Sequence, residues 1–327
     1  MPVTLTCRDR PRHAIIAFFR APRREELVLS RLDSENDLHA ELQGVVEQHG
    51  PFVFCIPLPG GVWTTEGQLP HTRLRRLVQC AADHIDKPWK ECRVLDLGCL
   101  DGLFSIEFAL HGCEVVGIEG REDHTAKARF AARALGLEKV TFLQADVREK
   151  LKEDIGHFDV TVCSGIFYHL DAGAAFELIE RLYDITRRVV LIDTYLALVG
   201  AAKVSHKGRD YFGEAEHRVH HPSWGFQDGP RFYFTRPSLV NLMQDVGFTS
   251  VYECFNPPHL NYGQPGIESH SRCTFVALKS PRAAIEASPA VNSLVERWPE
   301  GSLTYAAPVS PSRLARLRRR LGALLRK

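Results

Sequence analysis

Short apolar runs alternate with longer amphipathic stretches through the middle of the chain. Five runs have the length and branched, apolar content of buried strands, and they occupy residues 93–97, 113–118, 140–143, 158–163 and 189–193. Helical spacing of apolar residues lies between them, over 103–110, 122–135 and 172–186. Because strands that alternate with helices pair in parallel, the pattern predicts an α/β fold with a doubly wound, Rossmann-like sheet.

The pattern resumes after a break. A helix is predicted from Arg236, with Pro237 in its first turn, and two further strands over 248–255 and 273–278 form a plausible antiparallel pair. The sheet therefore has seven strands, most of them parallel.

Three other segments flank or interrupt this domain, which we place at residues 91–280. Residues 1–90 are interpreted as an N-terminal extension, with a possible strand over 13–19 and helices over 36–49 and 71–85, that packs on the domain and covers its cleft. Residues 196–235 form an insertion with the length of a functional lid. Residues 281–327 are a tail that ends in a basic amphipathic helix.

The first predicted strand runs into a glycine turn, Gly98-Cys99-Leu100-Asp101-Gly102. A glycine turn between a strand and a helix N-terminus makes a site for a nucleotide-like ligand, and a backbone without Cβ atoms can approach that ligand closely. The motif G-x-G-x-x-G is missing here, which argues against a nicotinamide enzyme.

Three acidic residues follow at the ends of successive strands. Asp96 lies at the mouth of the turn, Glu119 ends the second strand, where a carboxylate can bind ribose hydroxyls, and Asp146 follows the third strand.

These residues resemble the class I S-adenosylmethionine-dependent methyltransferases over roughly 94–195. The segments VLDLGCLDG, Glu119, QADV and SGIFYHL look like four motifs of that family in their usual order. FYHL and TRPSLVNLMQDVGF are similar to a subgroup with tRNA wobble-uridine carboxymethyltransferase-like proteins and methyltransferases of small molecules or sugars. Many members carry a third glycine where this chain has Leu100, which leaves the local geometry of the turn open.

The resemblance implies S-adenosylmethionine as cofactor, with these binding residues: Asp96, Gly98, Cys99, Gly102, Glu119, Gly120, Asp146, Val147 and Ser164. His169 is the candidate general base, since its ordinary pKa is near neutrality, and a structural role for it is equally open. Tyr168 could orient the acceptor.

The insertion is rich in groups that bind polar ligands, and we expect His217, His220 and Trp224 to contact substrate. His217 and His221 have a spacing seen in metal sites, but Pro222 makes a continuous helix there doubtful, and we assign no metal.

Composition restricts the kinds of partner that the chain is expected to bind. With 41 basic and 40 acidic residues the net charge is +1, which gives no global attraction to nucleic acid or membrane. The exception is 312–327, with seven basic and no acidic residues, which could contact an anionic membrane surface or RNA.

The nine cysteines are scattered, without CxxC or zinc spacing, and are interpreted as reduced residues of a cytoplasmic protein. No apolar run has the length of a membrane span.

The favoured hypothesis is methyl transfer to oxygen or nitrogen of a small polar metabolite, sugar or natural-product scaffold. A tRNA-modifying methyl- or carboxymethyltransferase and a non-catalytic module of the same fold are the alternatives.

Overall fold

A computed structural model describes residues 35–66, 71–218, 229–254 and 270–279. Within these ranges ten strands form two sheets, one of seven strands and one of three. The strands are β1 (Arg93–Leu97), β2 (Glu114–Glu119), β3 (Val140–Gln144), β4 (Phe158–Ser164), β5 (Thr186–Ala197), β6 (Ala202–His206), β7 (Arg209–Arg218), β8 (Gly229–Phe234), β9 (Ser250–Glu253) and β10 (His270–Leu278).

Seven α-helices lie in the same described ranges. They are α1 (Glu35–His49), α2 (His71–His84), α3 (Leu103–Leu110), α4 (Glu122–Ala134), α5 (Val147–Lys150), α6 (Ala172–Ile185) and α7 (Arg236–Val246). Short 3₁₀ turns occupy Pro59–Gly61, Trp89–Glu91 and Phe167–His169.

The large sheet has the order β3-β2-β1-β4-β5-β10-β9. The first five strands in this order are parallel, and β10 runs antiparallel to both β5 and β9. The strand order reverses between β1 and β4, so the loops after these two strands diverge and leave a crevice at their carboxyl ends. Open α/β sheets bind ligands in such a crevice, and here it lies beside the glycine turn.

Helices cover both faces of the large sheet. One apolar core joins α2, α3 and α4 to residues such as Val94, Val162 and Leu191, and a second joins α6 and α7 to residues such as Leu95 and Ile192. Alternate residues of each strand thus enter opposite cores, which is why these strands are apolar along their whole length.

The predicted α/β architecture is confirmed, including the antiparallel final pair. Helix ends also follow their sequence signals: Gly136 is left-handed after α4, and the Leu137 amide donates to the Ala132 carbonyl at 3.0 Å, the bond of a Schellman cap. Strand β5 is longer than predicted because it continues to Ala197 to pair with β10.

The two helices predicted in the N-terminal extension are present as α1 and α2. The predicted strand at 13–19 and the basic helix at 312–327 lie outside the described residues. None of the described helices combines the length and the apolar character that crossing a bilayer requires.

Candidate functional site

The turn after β1 folds back on the end of β2. The amides of Gly98 and Cys99 donate to the Ile118 carbonyl at 2.8 and 3.2 Å, and Gly98, Leu100 and Gly102 all have positive φ angles of 63°, 48° and 85°. Leu100 therefore adopts the left-handed conformation at the position where many family members have glycine. This conformation has a steric cost that glycine would avoid.

The two glycines are also required by the packing of the protein around them. A Cβ on Gly102 would lie 2.8 Å from the Phe142 ring and 2.9 Å from Ala128, and a Cβ on Gly98 would lie 3.2 Å from Ile166. The space that these glycines leave is filled by the protein itself. Close packing of the turn against β3, α4 and the loop after β4 thus explains them, together with their positive φ.

Glu119 is buried at the carboxyl end of β2 and binds the turn. Its Oε2 accepts from the Leu100 amide at 3.1 Å, and its Oε1 accepts from the Arg121 amide at 3.0 Å. Gly120 is the residue between Glu119 and Arg121 in the sequence. A carboxylate offers about four acceptor positions, so both oxygens keep a lone pair. Glu119 thus fits the two hydroxyls of a ribose while its backbone bonds hold it in place.

Asp96 is buried at the end of β1. The Ser105 hydroxyl on α3 donates to its Oδ2 at 2.6 Å. Burial raises the pKa of Asp96 to about 7, against the smaller lowering effects of the Ser105 hydrogen bonds and of the Arg73 charge. A cation placed beside this carboxyl would favour its ionised form, as the ammonium of an amino acid would do.

The predicted adenine side lies at the start of α5. Asp146 caps this helix by accepting from the Arg148 amide at 2.9 Å, and its carboxylate also pairs with the Arg148 guanidinium. The Arg148 hydrogen bond holds the pKa of Asp146 below its ordinary value. Val147 is buried behind the cap and supplies an apolar wall, while Cys99 is buried within the turn.

The segment after β4 brings the catalytic candidates to the same edge. The buried hydroxyl of Ser164 has no hydrogen-bond partner among the described residues. Tyr168 and His169 follow in a 3₁₀ turn, with ring centres 4.3 Å apart. Burial raises the pKa of Tyr168, so its phenol stays protonated and acts as a donor.

Tyr168 belongs to an aromatic cluster that includes the insertion. Its ring meets Tyr195 edge-on at 4.9 Å and stacks on Tyr233 of β8 at 6.2 Å. Tyr195 and Tyr233 are both buried. The insertion thus contributes one wall beside the catalytic candidates.

A buried ion-pair group lies next to this cluster, and it was not predicted from the sequence. Asp193 on β5 accepts from Arg272 Nε at 2.6 Å and from the Thr274 hydroxyl at 2.7 Å, both on β10, and lies 3.9 Å from Arg73 Nη1 on α2. The Arg272 guanidinium lies 5.1 Å from the Tyr195 ring centre. Asp193 ends a predicted apolar strand, the same signal that identified Glu119, whereas the arginines carry no local signal.

A second unpredicted group fixes the N-terminal extension to the turn. Asp101 is fully buried and accepts from the amides of Val53 and Phe54 and from His124 Nδ1, the last at 2.6 Å. Lys127 lies 3.4 Å from the same carboxylate and donates to the Pro51 carbonyl at 2.7 Å. The segment at 51–54 is thereby held against the glycine turn by one carboxylate.

The substrate residues expected in the insertion are only partly described. Residues 202–234 contain β6, β7 and β8, a three-stranded antiparallel sheet, and His217 is an exposed residue of β7 opposite Pro230. His217 lies in the extended strand β7, and His221 lies outside the described residues. His220 and Trp224 lie outside the described residues. Within the described ranges no group of three or more metal-ligating side chains is found.

The arrangement fits S-adenosylmethionine at the β1–β4 crevice. Glu119 offers acceptors for a ribose, and Asp96 and Arg73 offer one charge of each sign for the ammonium and carboxylate of an amino acid end. Ser164 places an unpartnered buried hydroxyl at the end of the adjacent strand. These features come from four elements that only the fold brings together.

Comparison with known families agrees with the resemblance to methyltransferases seen in the sequence. Residues 89–228 match a family described as "Methyltransferase domain". This match covers β1 to β7, so it includes the glycine turn, Glu119, Asp146 and the segment at 164–170.

Curated relatives match over shorter stretches of the chain. The 23S rRNA (uracil(1939)-C(5))-methyltransferase RlmD of Shewanella halifaxensis is 33% identical over 96 residues, which is 29% of this chain and 20% of the relative. The ubiquinone biosynthesis O-methyltransferase of Acinetobacter baumannii is 31% identical over 78 residues, 24% of this chain and 33% of the relative. The chain therefore spans a fifth to a third of the length of these relatives.

Among solved structures, the N-terminal domain of EvdMO1, crystallised in the presence of SAH and D-fucose, has the same fold. Its TM-score is 0.58 at 20% identity, with 73% of this chain and 96% of that chain covered. The motifs, their placement and the family match lead to one conclusion: residues 89–228 are a methyltransferase domain, and the chain has the fold of the EvdMO1 domain.

Proposed function

We propose that the protein transfers the methyl group of S-adenosylmethionine to an oxygen or nitrogen of a small polar acceptor, such as a sugar or a natural-product scaffold. The observation that carries this proposal is the composition of the region beside Tyr168. Three tyrosines and the buried Asp193–Arg272 pair lie together there, at the carboxyl ends of β4 and β5.

This composition matches a small acceptor with both apolar and polar faces. Aromatic rings pack against the flat or C–H-bearing face of a ring compound, and a few fixed polar groups give its orientation, as in most small-molecule sites. A sugar or a hydroxylated scaffold has both kinds of surface. The D-fucose present when the EvdMO1 domain was crystallised is consistent with such an acceptor, although that likeness itself concerns the fold.

His169 and Tyr168 have different roles in the proposed reaction. The cofactor supplies an electrophilic methyl group, so the protein has to place a nucleophile in line with it and remove a proton where needed. His169 is the proposed base. Tyr168, a protonated donor held against Tyr195 and Tyr233, orients the acceptor by a hydrogen bond.

A transfer assay tests the proposal. The full-length protein is incubated with methyl-labelled S-adenosylmethionine and either a metabolite extract or total RNA, and incorporation is measured in each fraction. We expect label in the small-molecule fraction and none in RNA. Label confined to RNA contradicts the proposed acceptor class.

RNA is the second candidate, because two independent observations favour it. Curated relatives include an rRNA methyltransferase, and residues 312–327 carry seven basic and no acidic side chains. An RNA substrate predicts an affinity that falls steeply with salt. Removing residues 312–327 would then reduce transfer to RNA, whereas transfer to a small acceptor would be unchanged by the truncation.

A further inference from the structure

Two cysteines that are far apart in sequence meet at the edge of the large sheet. Cys80 lies on α2, and Cys254 directly follows β9, the edge strand. Their sulfur atoms are 3.5 Å apart. No sequence pattern indicates this pair, since 174 residues separate the two positions.

This pair differs from the other described cysteines in exposure. Eight free cysteines lie in the described ranges, and six of them are buried, whereas Cys80 and Cys254 are half-buried. Cys80 and Cys254 are thus more accessible to a small oxidant than the other described cysteines, and a thiol that forms a sulfenic acid here has a second thiol in contact with it. Redox-responsive cysteines typically combine these two properties.

We propose that Cys80 and Cys254 are an oxidation site, at which a peroxide converts the two thiols into a disulfide that links α2 to the sheet. A disulfide requires an S–S distance of about 2.05 Å, so the sulfurs must approach by roughly 1.5 Å. Side-chain rotation covers such a distance. Both elements are held to Thr274: the Arg76 guanidinium of α2 donates to the Thr274 hydroxyl at 3.2 Å, and the Cys254 amide donates to the Thr274 carbonyl at 2.8 Å.

The chemistry balances with hydrogen peroxide as oxidant. The Cys254 thiolate attacks one peroxide oxygen, the O–O bond breaks, and hydroxide leaves to give a sulfenic acid. The Cys80 sulfur then attacks that sulfenic sulfur, the S–OH bond breaks, and water leaves with the Cys80 proton. The hydrogen bond from Cys80, with the charge of Arg76, lowers the pKa of Cys254, which makes Cys254 the attacking thiol.

The link would act on a helix that reaches the cofactor crevice. One turn before Cys80, α2 carries Arg76, and Arg73 of the same helix lies 3.9 Å from Asp193. Fixing α2 to the end of β9 would hold these arginines against β5 and β10. This inference concerns the thiols and stands whether or not the proposed acceptor is correct.

Peptide mapping tests the proposal directly. The full-length protein is treated with hydrogen peroxide, alkylated without reduction and digested, and cross-linked peptides are identified by mass spectrometry. We expect a peptide pair joined through Cys80 and Cys254, with a mass lower by two hydrogens than the sum of the free peptides, that disappears after dithiothreitol. Cys92→Ser is the matched control, because Cys92 is buried and should leave the cross-link unchanged.

Thermal unfolding gives a second readout. Closing so long a loop restricts the unfolded chain, so the oxidised wild type should melt about 5 °C or more above the reduced protein, and Cys80→Ser and Cys254→Ser should show no such shift. The proposal is overturned if peroxide joins other cysteines, joins two chains, or leaves both thiols free while other residues of the protein are oxidised.

Discussion

Leu100 provides a sensitive test of the geometry of the turn. It has a φ of 48°, and its amide donates to Glu119 at 3.1 Å. A left-handed conformation costs a residue with a Cβ about 1–2 kcal/mol, and glycine avoids that cost. The Leu100 side chain packs half-buried against the core, so replacing leucine itself also removes packing.

Two substitutions separate these effects. Leu100→Ala and Leu100→Gly lose the same atoms beyond Cβ, but only glycine loses the strain. Glycine also gives the unfolded chain more freedom, which offsets about 0.4–1 kcal/mol of the gain. The glycine variant should therefore be more stable than the alanine variant by about 0.5–1 kcal/mol.

Urea unfolding at equilibrium measures this difference. The matched control is Gln43, an exposed residue within α1, where the glycine variant should instead be less stable than the alanine variant by about 1 kcal/mol. An alanine variant at position 100 that is as stable as the glycine variant, or more so, would refute the strain at Leu100, because its backbone conformation would then be an ordinary one.

Three further outcomes are expected. Gly102→Ala should destabilise the protein by about 2–4 kcal/mol, since its Cβ would clash and its φ is 85°. Gly44→Ala, at an exposed position of α1 with open space around it, should instead stabilise the protein by about 0.5–1 kcal/mol in the same urea titrations. The pKa of Asp96 is raised from 3.8 to about 7 by burial, so the folded protein holds a proton that the unfolded chain loses between these pH values, and this group's contribution to stability falls as the pH rises. Asp96→Asn should therefore gain stability relative to the wild type from pH 4 to pH 7, and a pH-independent difference would reject the raised pKa. His169→Ala should lower kcat by about 10²- to 10⁴-fold with unchanged cofactor affinity, and full turnover would show that His169 is not the base.

The order of elements was predictable because buried parallel strands are apolar along their length and helices have a clear period. The ends of α4 and α7 followed from Gly136 and Gly247, whose positive φ angles end each helix. These signals are local, so a sequence displays them directly.

The insertion was harder to predict. Strand β6 alternates half-buried and exposed positions, and β6 and β7 together carry several charges, a pattern that indicates a polar lid more readily than strands. Its packing depends on distant partners: the Tyr211 hydroxyl donates to Asp245 on α7 at 2.8 Å, and the Phe232 amide donates to the Leu170 carbonyl at 2.8 Å.

The residues of the candidate site also divide into those with a local sequence signal and those whose partners are distant in sequence. Asp96, Glu119 and Asp146 were identified because each lies near or just beyond the carboxyl end of a strand, and such positions converge at one edge of a parallel sheet. Asp101 and Arg272 were missed, since their partners are remote in sequence: Asp101 binds amides at 53 and 54, and Arg272 binds Asp193.

The claim that the β1–β4 crevice binds S-adenosylmethionine is tested most directly by calorimetric titration of S-adenosylhomocysteine into the wild type and Glu119→Gln. The glutamine keeps one acceptor oxygen and places a donor against a backbone amide, so a charged hydrogen bond worth about 1.5–3 kcal/mol is lost. We expect one site per chain in the wild type and about 10- to 100-fold weaker binding in Glu119→Gln. Absence of binding to the folded wild type, or equal affinity in both proteins, would contradict the claim.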